Sequence, residues 1–505
     1  MTVRSSQEHI ERKNSTQWDL PEGWVVTRLE QICIPPQYGW TTSADNDRSS
    51  LKLLRTSDIS KGTVDWSTVP SCQEEPDDPE KYLLVPGDIL ISRAGSVGIS
   101  YLVKKCPRAI FASYLIRFRP KPPIESEFIA LFLKSSQYWA AIADKTAGIA
   151  IPNVNASKLK QLEIPLPPLA EQKRIVGKVE ELLARVNAAR ERLAKVRVIL
   201  KRFRQAVLAA ACSGRLTSAW REKHPNVVPV KKILYKIQRS RMERATTLAQ
   251  KEKIKDIYSY QEREYSELLP ENWEYVALDK LCESFQYGTS KKSQASGKIP
   301  VLRMGNIQNG RIDWNDLAYT SEDTEIEKYK LNPGDVLFNR TNSPELVGKT
   351  AIYKGEQPAV FAGYIIRINN FEEVKSEYLN YCLNSIYAKE FCLKVKTDGV
   401  SQSNINAQKL GKFELPFCSK EEQKEIIRRV EALFKLADRV EKRIAEATAR
   451  AEKLTQAILA KAFRGELVPT EAELARREGR SYEPASTLLA RIRSHCQNRG
   501  TKERC

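Results

Sequence analysis

The sequence predicts an α+β protein. Two mixed blocks are joined by two long helices that pair as an antiparallel, intramolecular coiled coil, giving a pseudo-twofold repeat. Three observations predict this. Short motifs recur at an offset of about 250 residues. Each copy opens with short β-type runs broken by turn formers. Each copy closes with a long apolar seam at coiled-coil spacing.

The repeat runs the length of the chain. Leu20-Pro21-Glu22-Gly23-Trp24 returns as Leu269-Pro270-Glu271-Asn272-Trp273, and Gln37-Tyr38-Gly39 as Gln286-Tyr287-Gly288. Leu54-Arg55 and Asp65-Trp66 return as Leu302-Arg303 and Asp313-Trp314. Pro86-Gly87-Asp88 returns as Pro333-Gly334-Asp335, and Phe111-Ala112-Ser113-Tyr114 as Phe361-Ala362-Gly363-Tyr364. The offset drifts through 249, 248, 247 and 250 and settles at 251, so the frame is kept while loops change length.

The pattern divides the chain into an N-terminal arm (1–19), a first block (20–167), a first helix (168–215), a charged connector (216–267), a second block (268–418), a second helix (419–466) and a tail (467–505). In the first block, Asp88 to Ser92 and Tyr114 to Phe118 read as strands, Lys61-Gly62 and Pro86-Gly87-Asp88 as turns, and Glu127 to Ala143 as helix. The run Ile164-Pro165-Leu166-Pro167-Pro168 ends the block and launches the helix.

The first seam is Ile175, Val179, Leu182, Val186, Ala189, Leu193, Val196, Leu200, Phe203 and Val207. The second is Ile426, Val430, Leu433, Ala437, Val440, Ile444, Ala447, Ala451, Leu454 and Ile458. Spacings alternate between 4 and 3, narrower than the stripe of a helix docked on a core. Ser213-Gly214 and Arg464-Gly465 end the helices. Two equal seams in two equal halves pair most simply with each other. A weaker echo between Ile233-Leu234 with Ile237 and Leu488-Leu489 with Ile492 brings the tail back towards the first block.

The chain has 505 residues, 82 of them basic and 63 acidic, for a net charge of +19. The blocks are nearly neutral, at +1 for 1–167 and −1 for 268–418. The helices carry +8 and +3, the connector +5 and the tail +3. A basic rod and connector suit a polyanion, because neutralised phosphates release counterions; the competing reading is the ordinary solvated flank of a coiled coil. The basic excess is densest at Lys201-Arg202-Phe203-Arg204. Each block has an acidic cluster at one repeat position (Glu74, Glu75, Asp77, Asp78 and Glu80; Glu322, Asp323, Glu325 and Glu327), which is either a solvated loop or a face for a protein partner.

Composition excludes several classes of function. The three histidines, His9, His224 and His495, lie outside the blocks, against a His-dependent triad or metal site. Ten cysteines without paired spacing fit reduced thiols in a cytoplasm. No apolar run reaches the roughly 18–20 residues of a membrane span, and the first 19 residues lack the core of a signal peptide. Gly348-Lys349-Thr350 resembles the end of a phosphate loop, but the upstream glycine is replaced by Ser343, Pro344 interrupts, and a loop between strands is the better reading.

The block–helix–block–helix order resembles the specificity subunit of type I DNA restriction-modification enzymes. The motifs that carry the resemblance are Leu20 to Trp24, Ile164 to Lys173, Leu200 to Leu208 and Ile458 to Leu467, the last two like those of the enterobacterial-type subfamily. The second copy departs at Pro416-Phe417-Cys418-Ser419, where a proline-rich run is expected. The resemblance implies that each block is a target recognition domain reading one half of a bipartite site in double-stranded DNA. It implies that the helices fix the separation of the halves. Two methyltransferase subunits and two restriction/translocase subunits are the implied partners, with AdoMet, ATP and magnesium on those partners and none on this chain. It also implies a non-catalytic, cytoplasmic subunit with no membrane. A self-contained methyltransferase or nuclease fusion lacks its catalytic motifs here; a coiled-coil structural protein without DNA contact is the other alternative.

Sequence readout needs side chains at base edges, and loops held on a rigid frame supply them. The candidates are Arg93 to Ser96 and Arg340 to Ser343, which follow matching strands but differ in content, so Arg93, Ser96, Arg340 and Asn342 are singled out. Tyr38, Tyr287, Asn153, Asn155, Gln402 and Asn404 come next, with Lys201 and Arg202 for phosphate. For the tyrosines a core or turn role competes with DNA contact. Trp24, Trp66, Trp273 and Trp314 recur in both copies and read as frame.

Overall fold

Val25–Arg28 pairs antiparallel with Glu163–Leu166, and Glu274–Ala277 pairs in the same register with Glu414–Phe417. These two ribbons close the two blocks at equivalent places. The computed structural model describes residues 19–46, 51–60, 62–146, 153–259, 269–400 and 402–500. His9, nearly all of the N-terminal arm, Lys61, the end of the connector and the side chain of His495 lie outside the described residues. The chain forms two compact units, one of residues 1–193 with 446–505, the other of 194–445.

In the first unit, strands Gln37–Tyr38, Leu115–Phe118, Ile89–Ser92 and Ser100–Leu102 form an antiparallel sheet in that order. A second sheet runs Ala44–Asp45, Ser71–Cys72, Lys52–Leu54 and Ala109–Phe111, with the last pair parallel. In the second unit the order Cys282–Tyr287, Ile365–Asn370, Val336–Asn339 and Thr350–Ile352 repeats the first sheet. Ala318–Thr320, Ile299–Leu302 and Val360–Phe361 repeat the core of the second, including its parallel pair. The Pro-Gly-Asp turns are built alike. Asp88 caps Val85 N at 3.0 Å and holds Arg119 at 2.6 Å; Asp335 caps Asn332 N at 2.9 Å and holds Arg367 at 3.1 Å. The segment expected as one helix from Glu127 to Ala143 is two, Ser126–Phe132 and Ser136–Thr146. Buried Ser135 divides them, its hydroxyl accepting from Tyr138 N.

Two 44-residue helices, α1 (Leu169–Cys212) and α2 (Lys420–Phe463), follow the blocks. They pair antiparallel within each unit. In the first, Arg174 meets Glu471 just beyond α2, and Arg190 meets Thr455. In the second, Arg204 meets Asp438 and Glu441, while Arg429 donates to Leu216 O just beyond α1. Ile175, Val179, Val186, Leu200, Ile426, Val430, Ala437, Ile444 and Ile458 are buried; Leu182, Leu193, Val196, Leu433 and Val440 are half-buried. Leu454 is a correction to the expected seam: it is 51% exposed, and Thr455 turns inward instead. Ala189 is likewise exposed. Beyond this point α2 serves the first block, because Ile458, Leu459, Ala462 and Phe463 join its core and the Phe463 ring packs against Phe128 and Phe132. That demand rotates the apolar stripe away from a strict 3.5-residue repeat.

Positive-φ glycines, Gly214 and Gly465, end the helices. Each also admits a proline from the Leu-Pro-Glu motif: a Cβ on Gly214 would lie 2.5 Å from Pro270 Cγ, and one on Gly465 would lie 2.3 Å from Pro21 Cγ. So α1 ends against the start of the second block, and α2 against the start of the first. The echo between connector and tail has the same logic. Ile233 and Ile237 of helix Val230–Arg244 enter the second core, while Leu488, Leu489 and Ile492 of helix Ala485–Gly500 enter the first.

The motif after Pro168 is a lock. Glu171 accepts the Trp24 indole N–H at 3.0 Å and Glu471 N at 2.9 Å. Glu422 accepts Trp273 at 2.8 Å, with Thr217 and Arg221 each at 2.7 Å. Gln172 and Gln423 accept from Glu125 N and Lys375 N, pinning the loop before each block's helices. Burial pushes the Glu171 carboxyl up to about 7 against the lowering effect of its hydrogen bonds. Its folded value thus exceeds its unfolded one, and the folded state holds the proton more tightly. The stabilisation is full below the unfolded value near 4.5 and is lost as pH rises through about 7. We expect roughly 3 kcal/mol of such dependence between these limits. Chemical denaturation at pH 5 and pH 8 checks it: Glu171→Gln should flatten the difference, and an undiminished one would exclude Glu171 as its source.

Candidate nucleic-acid interface

Strand Ile89–Ser92 delivers Arg93, and strand Val336–Asn339 delivers Arg340. Each arginine is held by its backbone. Arg93 N donates to Tyr114 O at 2.9 Å and its carbonyl accepts Val154 N at 3.0 Å; Arg340 N donates to Tyr364 O at 2.9 Å and its carbonyl accepts Ile405 N at 2.9 Å. The guanidinium of Arg93 lies 5.1 Å over the Tyr38 ring, and that of Arg340 lies 4.8 Å over Tyr287. Such stacking orients a cation while leaving N–H edges free. The tyrosine hydroxyls are fixed in turn, accepting from Ala156 N at 3.0 Å and Ala407 N at 2.9 Å. In both arginines Nε is buried without a hydrogen-bond partner.

The structure therefore brings Tyr38, Arg93 and Asn153 together, the last through a bridge between Ala94 and Asn153. It brings Tyr287, Arg340, Asn342 and Asn404 together through the pairing of Thr341–Asn342 with Ser403–Asn404. The brackets differ in detail, since Arg340 donates to Asn404 Oδ1 at 3.0 Å and Asn404 donates to Thr341 at 2.9 Å. Ser96 is exposed beside the first bracket; its carbonyl accepts from Ser92 Oγ. Gln402 is exposed near the second. Asn155 plays a structural part, since its side chain caps helix Ala156–Lys160 through Lys158 N, as Asn406 caps Ala407–Gly411. Asn342 is turned onto Ser343 N at 2.8 Å.

Lys201 and Arg202 are exposed on α1. Burial first, and then the charge of Lys201, hold the Lys389 ammonium below the ordinary lysine range. Arg204, from the same basic run, is taken by Asp438, Glu441 and the Phe434 ring. Acidic groups at the repeated clusters have partners within their own block: Glu80 with Arg108, Glu322 with Lys291, and Asp323 with Lys298. The tryptophans are frame: Trp24 and Trp273 are buried, Trp66 donates to Lys105 O, and Trp314 packs on Tyr353.

Sequence reasoning missed Tyr114 and Tyr364. They stand 62% and 49% exposed, and their carbonyls anchor the two arginines. The signal was the repeated Phe-Ala-x-Tyr motif, an exposed aromatic kept in both copies. Gly348-Lys349-Thr350 leads into strand Thr350–Ile352, with Lys349 bonded to Gln308, so no helix follows it. Among the described residues no cluster of three or more His, Cys, Asp or Glu could hold a metal ion, and no helix is long and apolar enough to cross a membrane.

The model of the type I restriction modification DNA specificity domain matches twice, at residues 21–197 and 270–449. The chain belongs to the type I restriction-modification specificity subunits. It is 31% identical to the EcoKI specificity subunit of Escherichia coli (strain K12) over 89% of this chain and 90% of that protein. It is 30% identical to the StySPI specificity subunit of Salmonella potsdam over 89% and 90% of the two chains. A chain from a solved structure of a type I R-M system superposes with a TM-score of 0.62 at 20% identity, covering 89% of this chain and all of that one, which shows the shared fold. The two family matches of this specificity subunit each take in one block, one bracket and most of one long helix, so the repeat unit is the family unit.

Proposed function

We propose that this specificity subunit reads a bipartite site in double-stranded DNA, each block taking one half, with the paired helices setting the spacing between halves. The observation that carries this reading is the pair of equivalent Arg–Tyr brackets set among loops of different content. Equivalent frames suit equivalent docking on DNA, and the differing loops suit different base sequences. Lys201 and Arg202 contribute phosphate contacts, which set affinity and register rather than sequence. Partner restriction-modification subunits supply the chemistry: two methyltransferase subunits, joined for cleavage by two restriction/translocase subunits, carrying AdoMet, ATP and magnesium. The proposed setting is the cytoplasm.

The test is a block exchange. Residues 20–165 are replaced by the corresponding block of another specificity subunit, and modified bases are mapped across a host genome by single-molecule sequencing. One half of the methylated motif should change and the other stay. A change in both halves, or in neither, would remove the modular reading. Clear methyl transfer by this chain alone would favour the self-contained enzyme instead.

A further inference from the structure

Both blocks hold a tyrosine side chain out to solvent. Phe111-Ala112-Ser113-Tyr114 and Phe361-Ala362-Gly363-Tyr364 differ at the third place but keep the fourth. Tyr114 and Tyr364 are exposed, so neither ring serves a core. Among the described residues neither hydroxyl has a hydrogen-bond partner.

The turn that carries each tyrosine is pinned on every side. Ala112 O accepts Leu115 N at 2.9 Å, which puts Tyr114 third in a tight turn. Ala112 N donates to Leu54 O, Ser113 N donates to Trp40 O, and Tyr114 O accepts Arg93 N, each at 2.9 Å. The second block repeats the set. Ala362 O accepts Ile365 N, Ala362 N donates to Leu302 O and Tyr364 O accepts Arg340 N, each at 2.9 Å, while Gly363 N donates to Thr289 O at 2.7 Å. The peptide that carries each tyrosine thus also seats the bracket arginine. Its backbone has little freedom left to lose on binding, and a tyrosine adds only two torsions to fix.

The repetition points to the kind of ligand. In the reading above, the two blocks take different half-sites. A side chain that read a base from one seat in both blocks would ask the same base of both halves. What any two half-sites share is the phosphate backbone. A phenolic O–H donates to a phosphate oxygen, and such contacts fix register without reading sequence. The bracket arginine, one backbone hydrogen bond away, adds positive charge that favours an anion. Tyr364 borders a cleft that also holds Asp313 and Asp316, but both carboxylates are engaged. Asp316 pairs with Arg303 at 3.1 Å, and Asp313 accepts Asn315 N and Nδ2 at 3.0 and 2.7 Å.

We propose that the Tyr114 and Tyr364 hydroxyls each donate to a backbone phosphate in the half-site of their own block, two sequence-independent clamps beside the brackets. The inference rests on the DNA-recognition reading above.

The experiment uses the full chain in complex with its methyltransferase subunits. The motif is first defined by mapping modified bases across a host genome. Binding is then measured on duplexes carrying that motif, unmodified or with one neutral methylphosphonate moved stepwise along the backbone. Tyr114→Phe and Tyr364→Phe should each weaken binding roughly tenfold, the loss expected for a hydrogen bond to a charged group. The methylated motif should stay as in wild type, and so should the unfolding midpoint, because the hydroxyls bond nothing within the chain. At one backbone position in the first half-site, the methylphosphonate should weaken wild type but cost Tyr114→Phe little more; Tyr364→Phe should show the same in the second half-site. Phenylalanine variants that bind as wild type overturn the proposal, and loss confined to Tyr114→Ala and Tyr364→Ala would mark the rings, not the hydroxyls. A motif that becomes degenerate at one base overturns it too, as do additive losses at every methylphosphonate position or a lowered unfolding midpoint. If the wild-type complex methylates no bipartite motif, the recognition reading itself fails, a result distinct from these.

Discussion

Gly288→Ala is expected to destabilise the second block by about 3 kcal/mol. A Cβ at Gly288 would lie 2.2 Å from Phe361 O and 2.5 Å from Ala362 O. Neither carbonyl can retreat cheaply, because Phe361 O accepts Thr289 N and Ala362 O accepts Ile365 N, each at 2.9 Å. The first block repeats the arrangement. A Cβ at Gly39 would lie 2.2 Å from Phe111 O and 2.3 Å from Ala112 O, so Gly39→Ala should cost about as much. Gly177→Ala is the control. Nothing lies within 4 Å of its added carbon, and alanine in α1 should stabilise by up to about 1 kcal/mol. Urea denaturation midpoints decide the matter: equal midpoints for wild type and Gly288→Ala would show that the strand can shift to make room.

Glu422→Ala should cost more, about 3–5 kcal/mol. The carboxylate is 1% exposed and holds Trp273, Thr217 and Arg221 at once. Its removal strands a guanidinium whose remaining bonds are to Gly214 O and the Thr217 hydroxyl. Most of the cost is that uncompensated charge, so the double variant Glu422→Ala with Arg221→Ala should recover part of it. Strict additivity of the two losses would mean that the pair is not coupled. Glu171 occupies the equivalent place in the first block with a backbone N–H, from Glu471, where Glu422 has Arg221 and Thr217. The same lock thus closes on a guanidinium and a hydroxyl in one unit and on a backbone N–H in the other.

The candidate interface was legible in part. Arg93 and Arg340 were found because they follow matching strands, and Tyr38 and Tyr287 because they precede a repeated glycine. That each arginine lies over its tyrosine could not be read, since 55 residues separate Arg93 from Tyr38 and 53 separate Arg340 from Tyr287. Asn155 shows the opposite difficulty. An asparagine in a loop suits both a base edge and a helix cap, and only the Lys158 N–H beneath it reveals the capping role. Leu454 fitted an unbroken alternation of 4 and 3, but the seam at that end competes with the first block for the apolar face of α2.

Repetition, helix periodicity and charge balance depend on local order in the chain, and so the sequence alone determined the twin blocks, the two long helices and the family. What a shared residue does depends on atoms far away in the chain, and here only the tertiary structure decided. It showed Glu171 and Glu422 locking the tryptophans, and Gly214 and Gly465 making room for prolines. The physical reason is that hydrogen bonds and close contacts act over about 3 Å. Which groups come within that distance is settled by the packing of whole elements.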